Sequence, residues 1–218
     1  MARLIEVSHE IEAGMTTYPG LPGPVVSDFL SREASRGTYG EGTTFQIGRI
    51  DMVANTGTYV DAPFHRLEQG TDVAGLPIER LADVEGIVVD ARAAMRAIGP
   101  EAFAGLALEG RAVLVRTGWS THWRTPRYAE GYPYLTRPAA QALVAAGPAL
   151  VGIDSLNIDD NTDGTRPAHT LLLTAGIPIA EHLCNLEKLP SDGFRFHCVP
   201  PPFRGLGSFP ARAYAIVA

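Results

Sequence analysis

Three runs of aliphatic, largely β-branched residues constrain the fold of this chain more than any other feature. They are Ile87–Asp90, Ala112–Thr117 and Ala149–Asp154. Their apolar residues are nearly continuous and do not alternate with polar ones, which is typical of strands that are covered on both faces. The 218 residues also include 23 glycines and 17 prolines. So many turn-forming residues indicate short elements and argue against a helical bundle.

Two helices are predicted from their end signals. Thr136 is a suitable N-cap, Pro138 fits a first helical turn, and Gly147 followed by Pro148 ends the pattern, so a helix lies between them. A second, shorter helix is predicted over Ala168–Ala175, where it would end at a glycine.

Two further strands complete the predicted architecture. In Thr44–Met52 the apolar alternation slips by one residue at Gly48, which indicates a β-bulge. A strand over Ile177–Ala180 would place Glu181 at its end. No repeat, low-complexity tract or linker divides the sequence. We therefore expect one α+β domain over residues 1–218, with a curved or barrel-like mixed β-sheet flanked by helices.

Charge and hydropathy exclude several classes of function. The net charge is −6 and no basic run is present, so we expect no nucleic-acid partner. No stretch approaches the roughly 18 apolar residues that a membrane span needs, and the first residues lack the apolar core of a secretory signal. We therefore expect a cytoplasmic protein without a membrane partner, in which Cys184 and Cys198 are reduced thiols.

The densest chemistry lies in the segment N-T-G-T-Y-V-D-A-P-F-H at residues 55–65. Four residues share one face if the chain is extended here: Asn55, Gly57, Tyr59 and Asp61. The glycine would let a ligand approach the backbone, and Pro63 would turn the chain so that His65 returns to the same space. A second group of polar residues, His169 and Glu181, follows downstream.

The segment resembles the signature of the cyclase family, H-x-G-T-H-x-D-x-P-x-H, which is shared by bacterial kynurenine formamidases and isatin hydrolases. The similarity continues in the family's order along essentially the whole chain, through Leu4–Met15, Thr17–Gly20, Val115–Trp119, Val151–Ser155, His169–Leu172, Ile177–Glu181 and Pro201–Ala213. The resemblance implies the swivelling β/β/α fold and a single cyclase-like domain.

The resemblance also implies a set of site residues. In the family, the first two histidines and the aspartate of the signature bind a divalent metal, usually zinc or manganese. The last histidine carries a proton, and a downstream His and Glu either complete a second metal site or hold the ligands of the first in place. Asp61, His65, His169 and Glu181 match this pattern, whereas Asn55 and Tyr59 stand where the signature has its first two histidines.

These two replacements weaken the usual metal site. An amide oxygen is a poor ligand for zinc or manganese, and a phenol would have to ionise from a pKa of about 10. Two models remain open. In one, Asp61, His169 and Glu181 hold one divalent metal, with manganese or magnesium preferred over zinc because most donors are oxygens, and His65 carries the proton.

In the other model no metal is present. Tyr59 donates a hydrogen bond to a substrate oxygen and His65 acts as the general base, while Asp61 and Glu181 share a proton and hold the imidazole. Neither model includes an organic cofactor.

Several aromatic and polar residues are predicted to contact the substrate. They are Asn55, Tyr18, Phe64 and Trp119, with the loop from Trp119 to Tyr134 as the specificity wall. Arg124 or Arg127 could meet a substrate carboxylate, although surface charge explains either. The run Asp159–Asp163 is expected to be a solvated loop near the site.

We therefore predict a hydrolase that acts on a C–N amide or a cyclic amide or lactone carbonyl of a small, aromatic substrate. Ring closure or dehydration with the same acid/base residues, and a catalytically degenerate binding protein, are the alternatives. The resemblance implies a homodimer or homotetramer.

Overall fold

The computed structural model describes residues 2–218, and Met1 lies outside them. Thirteen strands are present in the described residues: β1 (Arg3–Glu6), β2 (Val25–Leu30), β3 (Ile47–Asp51), β4 (Tyr59–Asp61), β5 (Val84–Asp90), β6 (Ala97–Ile98), β7 (Ala112–Arg116), β8 (Tyr134–Leu135), β9 (Leu150–Ile153), β10 (Ile179–Glu181), β11 (Phe194–Val199), β12 (Ser208–Pro210) and β13 (Arg212–Val217). The two α-helices are α1 (Arg137–Ala146) and α2 (Pro167–Thr174). Short 3₁₀ helices, such as Pro63–His65, lie in the connections.

Nine of these strands form one mixed sheet in the order β1-β13-β11-β5-β7-β9-β10-β4-β12. The four strands β5, β7, β9 and β10 run parallel in its middle, and antiparallel strands extend it on both sides. The sheet curls into a half-barrel with the two helices beside it. The predicted α+β class and the curved mixed sheet are confirmed.

The central strands are buried on both faces, as their apolar runs predict. Along β7, Val113 and Val115 pack in one core cluster with residues of α1 and α2. Ala112 and Leu114, which point to the other face, pack in a second cluster with residues of β11 and β13. Because each face has its own core, these strands have no need of polar residues at alternate positions.

The helix predictions hold to within one or two residues. The Thr136 side chain accepts the N–H of Ala139, and Gly147 ends α1 in the left-handed conformation with φ of 65°. Helix α2 begins at Pro167, one residue before the predicted start. The strand predicted over Ile177–Ala180 begins two residues later, so that Glu181 belongs to β10 itself.

The bulge predicted at Gly48 is wrong in detail. Strands β2 and β3 form a separate two-stranded sheet, in which Asp28 faces Gly48 and Leu30 faces Ile47. The extra residue is therefore Phe29, on the facing strand. All five residues of β3 are exposed. Neither face of the strand is buried, so its apolar alternation does not identify a face that packs in the core.

Two smaller observations complete the fold. Neither α-helix within residues 2–218 has the length and hydropathy needed to cross a membrane. Cys184 and Cys198 are both buried free thiols, as predicted.

Candidate active site

Strand β4 supplies the centre of the candidate site because it lies between β10 and β12. The antiparallel register places Tyr59 opposite Glu181 of β10 and Asp61 opposite Ser208 of β12. Directly opposed residues in a sheet project from the same face. The four polar side chains therefore meet on one face, while Val60 between them packs in the apolar core of the other face.

Tyr59 and Glu181 form the first hydrogen-bonded pair. The Tyr59 hydroxyl donates to Glu181 Oε2 at 2.6 Å, and the backbone N–H of Ile158 donates to Oε1 at 2.7 Å. Burial, together with the nearby Glu181 and Asp61 carboxylates, raises the pKa of Tyr59 well above 10, although a hydrogen bond from Asn55 opposes this. Burial, with the Asp61 charge, also raises the pKa of Glu181. Tyr59 is thus a neutral hydrogen-bond donor and not an ionised ligand.

Asp61, Ser208 and His65 form a second connected group. The Ser208 hydroxyl donates to Asp61 Oδ1 at 2.5 Å and lies 3.0 Å from His65 Nδ1, which is itself 3.9 Å from Asp61 Oδ1. Burial alone would raise the pKa of Asp61, but His65, His169 and Ser208 outweigh it and lower the pKa. The imidazole of residue 65 is therefore within reach of the Asp61 carboxylate.

Helix α2 brings His169 to the same place. Asp159 caps the helix by accepting the backbone N–H groups of Ala168 and His169, and its Oδ2 lies 2.7 Å from His169 Nδ1. His169 Nε2 then lies 3.5 Å from Asp61 Oδ2 and 3.8 Å from Glu181 Oε1. Burial lowers the pKa of His169, but these carboxylates together raise it to about 10.

The polar cluster forms the floor of a cavity of about 450 Å³. Six of the sequence-predicted residues line it: Tyr18, Asn55, Tyr59, His65, His169 and Glu181. Asp61 is fully buried beneath them. A volume of this size suits a small organic molecule.

Two predicted substrate contacts lie elsewhere. Phe64 is 36% exposed and is absent from the cavity wall, because the 3₁₀ turn Pro63–His65 directs His65 inward. The indole N–H of Trp119 donates to the backbone carbonyl of Tyr128, and its ring packs against His122. Trp119 therefore packs within its own loop and does not line this cavity.

The expected role of Gly57 is also wrong. The extended segment is confined to β4, and Gly57 has a φ of 67°. A Cβ atom on Gly57 would lie 2.8 Å from the Ile11 side chain. The residue is thus required by the left-handed backbone and by the packing of Ile11, and not by a ligand.

Sequence reasoning missed two members of the cluster. Ser208 has no local motif, and it is identified by the β4–β12 register alone. Asp159 belongs to the acidic run that was expected to be solvated, yet it is fully buried. Its position eight residues before Pro167, the first residue of a helix that carries His169 in its first turn, is the signal that could have found it.

A divalent metal fits part of this cluster. Within residues 2–218, the one group of three ligand atoms that lie within 4.8 Å of one another comes from Asp61, His65 and His169. Asp61 Oδ2 is buried and has no hydrogen-bond partner among the described residues. An oxygen that binds a metal ion would have the same surroundings. Glu181, which was predicted as a ligand, is not in the group, and both of its oxygens already accept hydrogen bonds. Two imidazoles and a carboxylate suit divalent first-row metals.

Comparison with known proteins identifies the family. A family model described as "Putative cyclase" matches residues 5–160. The chain belongs to the cyclase family. Among curated members it is similar to the kynurenine formamidase of Bacillus cereus, with 27% identity over 216 residues, which cover 96% of this chain and 95% of the relative. The enzyme of the same name from Geobacillus thermodenitrificans is 28% identical over 210 residues, with the same coverage.

Solved structures of cyclase-family proteins share the whole fold. A potential metal-dependent hydrolase with cyclase activity superposes with a TM-score of 0.83 at 26% identity, over 100% of this chain and 99% of the other. Isatin hydrolase A from Labrenzia aggregata, bound to benzyl benzoate, also gives 0.83, at 22% identity over 99% and 94% of the two chains. At this identity the second match demonstrates the fold alone.

Proposed function

We propose that this cyclase-family protein hydrolyses the C–N bond of an amide or cyclic amide, or the C–O bond of a lactone, at the carbonyl carbon of a small, aromatic substrate. The observation that carries the proposal is the convergence of a neutral phenol, two imidazoles and two carboxylates on the floor of one cavity. The relatives named kynurenine formamidase support hydrolysis of an amide bond.

Asp61, His65 and His169 would hold a divalent metal such as manganese or zinc. When bound, the metal would polarise the substrate carbonyl and lower the pKa of a water molecule. We assign His65 to this set, and not to proton transfer, because its ring lies with the donors of Asp61 and His169 within 4.8 Å. Asp159 fixes the His169 ring through Nδ1, which leaves Nε2 directed at Asp61.

Glu181 is the proposed proton carrier. Burial and the Asp61 charge raise its pKa, which makes it a stronger base than a solvent-exposed carboxylate. Glu181 would accept a proton from the attacking water as the oxygen bonds to the carbonyl carbon. It would then return that proton to the departing nitrogen or oxygen as the old bond breaks.

Tyr59 is the proposed donor to the developing oxyanion. In the resting site its hydroxyl donates to Glu181. Once Glu181 is protonated, that bond weakens and the hydroxyl is free to donate to the carbonyl oxygen as it gains charge. Because burial and the carboxylates keep Tyr59 protonated, the donor is present at all ordinary pH values.

The proposal is tested by measuring hydrolysis of N-formylkynurenine, isatin and a simple aryl lactone, together with the metal content of each protein. We expect wild type to hydrolyse at least one substrate and to lose this activity in EDTA. His65→Ala should lose both metal and turnover, whereas Glu181→Gln should lose turnover and keep metal. Asp192→Asn, at an exposed position, is the control. No turnover of any of the three substrates would contradict the proposal.

A further inference from the structure

Two arginines line the cavity above the acidic floor. Arg66 follows the turn that carries His65, and Arg166 immediately precedes α2. Within residues 2–218, neither guanidinium has a carboxylate within 4.0 Å. On a chain of net charge −6, two unneutralised positive groups in one small cavity point to an anionic ligand group.

Arg166 is held in a defined position. Its backbone is left-handed, with φ of 46°, a conformation that costs energy for a residue other than glycine. Nη1 lies against Asn161 Oδ1 and the Asp160 carbonyl, and the guanidinium also reaches the Tyr18 hydroxyl. The side chain is half-buried. These contacts fix the guanidinium beside Tyr18, which is itself part of the cavity wall.

Arg124 and Arg127, which the sequence offered as partners of a substrate carboxylate beside the plainer interpretation of surface charge, are engaged elsewhere. Arg124 forms an ion pair with Glu12 at 3.1 Å, and Arg127 lies over the Trp119 ring, 5.7 Å from its centroid. Neither lines the cavity that holds the polar cluster.

The charge distribution would orient an anionic substrate. The two guanidinium groups line the wall, where they attract an anion and can bind a carboxylate with two parallel hydrogen bonds, whereas the Tyr59 hydroxyl, the proposed donor to the carbonyl oxygen, lies at the floor. A molecule with a carboxylate at one end would therefore enter with its uncharged amide or lactone carbonyl toward Tyr59.

We propose that Arg166, assisted by Arg66, is a carboxylate anchor that selects substrates carrying an anionic group in addition to the bond that is hydrolysed. The nature of that bond rests on the function proposed above. The anchor itself rests on the two guanidinium groups and the cavity they line.

The kinetic test compares 2- and 4-formamidobenzoate with their methyl esters, which keep the formamide and lose the charge. We expect wild type to prefer an acid over its ester. Arg166→Gln should lower kcat/KM for that acid by about 10- to 100-fold, mainly through KM, and change the value for the ester by less than about twofold. Arg166→Lys should restore part of the loss, and Arg195→Gln, which removes an exposed arginine elsewhere, is the control. Equal losses for acid and ester would overturn the proposal.

A binding test separates the anchor from the proposed hydrolysis. Calorimetry with 2- and 4-aminobenzoate and their methyl esters should show binding of an acid that Arg166→Gln weakens by about tenfold or more. If the acid binds in this way while neither the formamides nor isatin nor the aryl lactone is hydrolysed, the proposed function fails and the anchor stands. If formamides are hydrolysed but acids and esters bind alike to both proteins, the anchor fails and the function stands.

Discussion

At the level of single residues, Asn55 and Tyr59 act as one unit. Asn55 supplies a hydrogen bond to the Tyr59 oxygen, and the Tyr59 hydroxyl donates to Glu181. The phenol of Tyr59 thus has hydrogen-bond partners on both sides, the amide of Asn55 and the buried carboxylate of Glu181. The amide and the phenol stand where the family signature has two histidines, while Asp61, His65 and His169 offer three ligand atoms that lie within 4.8 Å of one another.

Histidines at positions 55 and 59 should therefore add metal ligands to those of Asp61, His65 and His169. The double variant Asn55→His with Tyr59→His is expected to bind zinc or manganese at least about tenfold more tightly than wild type, because imidazole is a better ligand than an amide or a neutral phenol. Competition with a chromogenic chelator measures the affinity, and Gln141→His, at an exposed position of α1, serves as a control for an added surface histidine. An unchanged affinity in the double variant would contradict this account.

The buried His182 next to the site, together with His9, is expected to make the protein less stable in acid. Burial, with the charge of His9, lowers the pKa of His182 to about 3, and burial, with Arg124, lowers that of His9 to about 4. In the unfolded chain both would titrate near 6.5. Between about pH 6.5 and 4 the unfolded state binds more protons, so the free energy of unfolding falls as the pH falls.

His182→Asn should reduce this loss of stability. The Asn amide can replace Nδ1 beside the Tyr128 hydroxyl, which lies 2.9 Å away, and Asn tolerates the φ of 57°. Urea unfolding at pH 7 and pH 4.5 is the measurement. The difference between the two pH values should be smaller in the variant by an amount of the order of 1 kcal/mol or more. An identical difference would show that His182 does not titrate as proposed.

At the level of elements, the site depends on how closely β12 approaches β4. Gly207, just before β12, gives its carbonyl to the Ala62 N–H at 2.7 Å. A Cβ on Gly207 would lie 2.4 Å from the Cα of His65. Because that contact is with backbone, no side-chain rotation can relieve it. Strand β12 would have to shift, and Ser208, its first residue, would shift with it.

Gly207→Ala should therefore damage both fold and function. We expect thermal unfolding to report a loss of about 1–3 kcal/mol and kcat/KM to fall by about tenfold or more. Gly40→Ala, where an added Cβ meets nothing within 4 Å, should change neither. A Gly207→Ala protein as stable and active as wild type would mean that the β4–β12 contact does not position the site.

The elements were more predictable than the contacts between them. The apolar runs of β5, β7 and β9 and the end signals of α1 are local, so they could be identified from the sequence. The pairing of Asp61 with Ser208 joins residues 147 positions apart, and no local pattern encodes such a register. Trp119 was misplaced because an aromatic residue fits a loop core as well as a ligand cavity, and Phe64 because the turn that carries it leaves its ring exposed.

At the level of the whole molecule, the hairpin of β2 and β3 presents an unusual surface. Its apolar residues are exposed on both strands, among them Val25 (60%), Phe29 (75%) and Ile50 (63%). Contiguous apolar patches on soluble proteins commonly mark interaction sites. We propose that this hairpin packs against a second copy of the chain, and that the protein is at least a homodimer.

Light scattering after gel filtration tests this proposal. Wild type should have the mass of a dimer or a larger assembly, and Phe29→Ser with Ile50→Ser should shift it toward the monomer because the buried apolar area is lost. Leu4→Ser, at another exposed apolar position, should leave the mass unchanged. A monomeric wild type, or a double variant of unchanged mass, would contradict the proposed interface.

The central proposal is that the hydroxyl of Tyr59, paired with Glu181, stabilises the oxyanion at a site that has Asn and Tyr where the family signature has two histidines. Steady-state kinetics of Tyr59→Phe on a substrate that wild type hydrolyses, with metal content measured in parallel, tests it most directly. We predict that kcat falls by about 100-fold or more while the KM and the metal content change little. A kcat equal to that of wild type would contradict the claim.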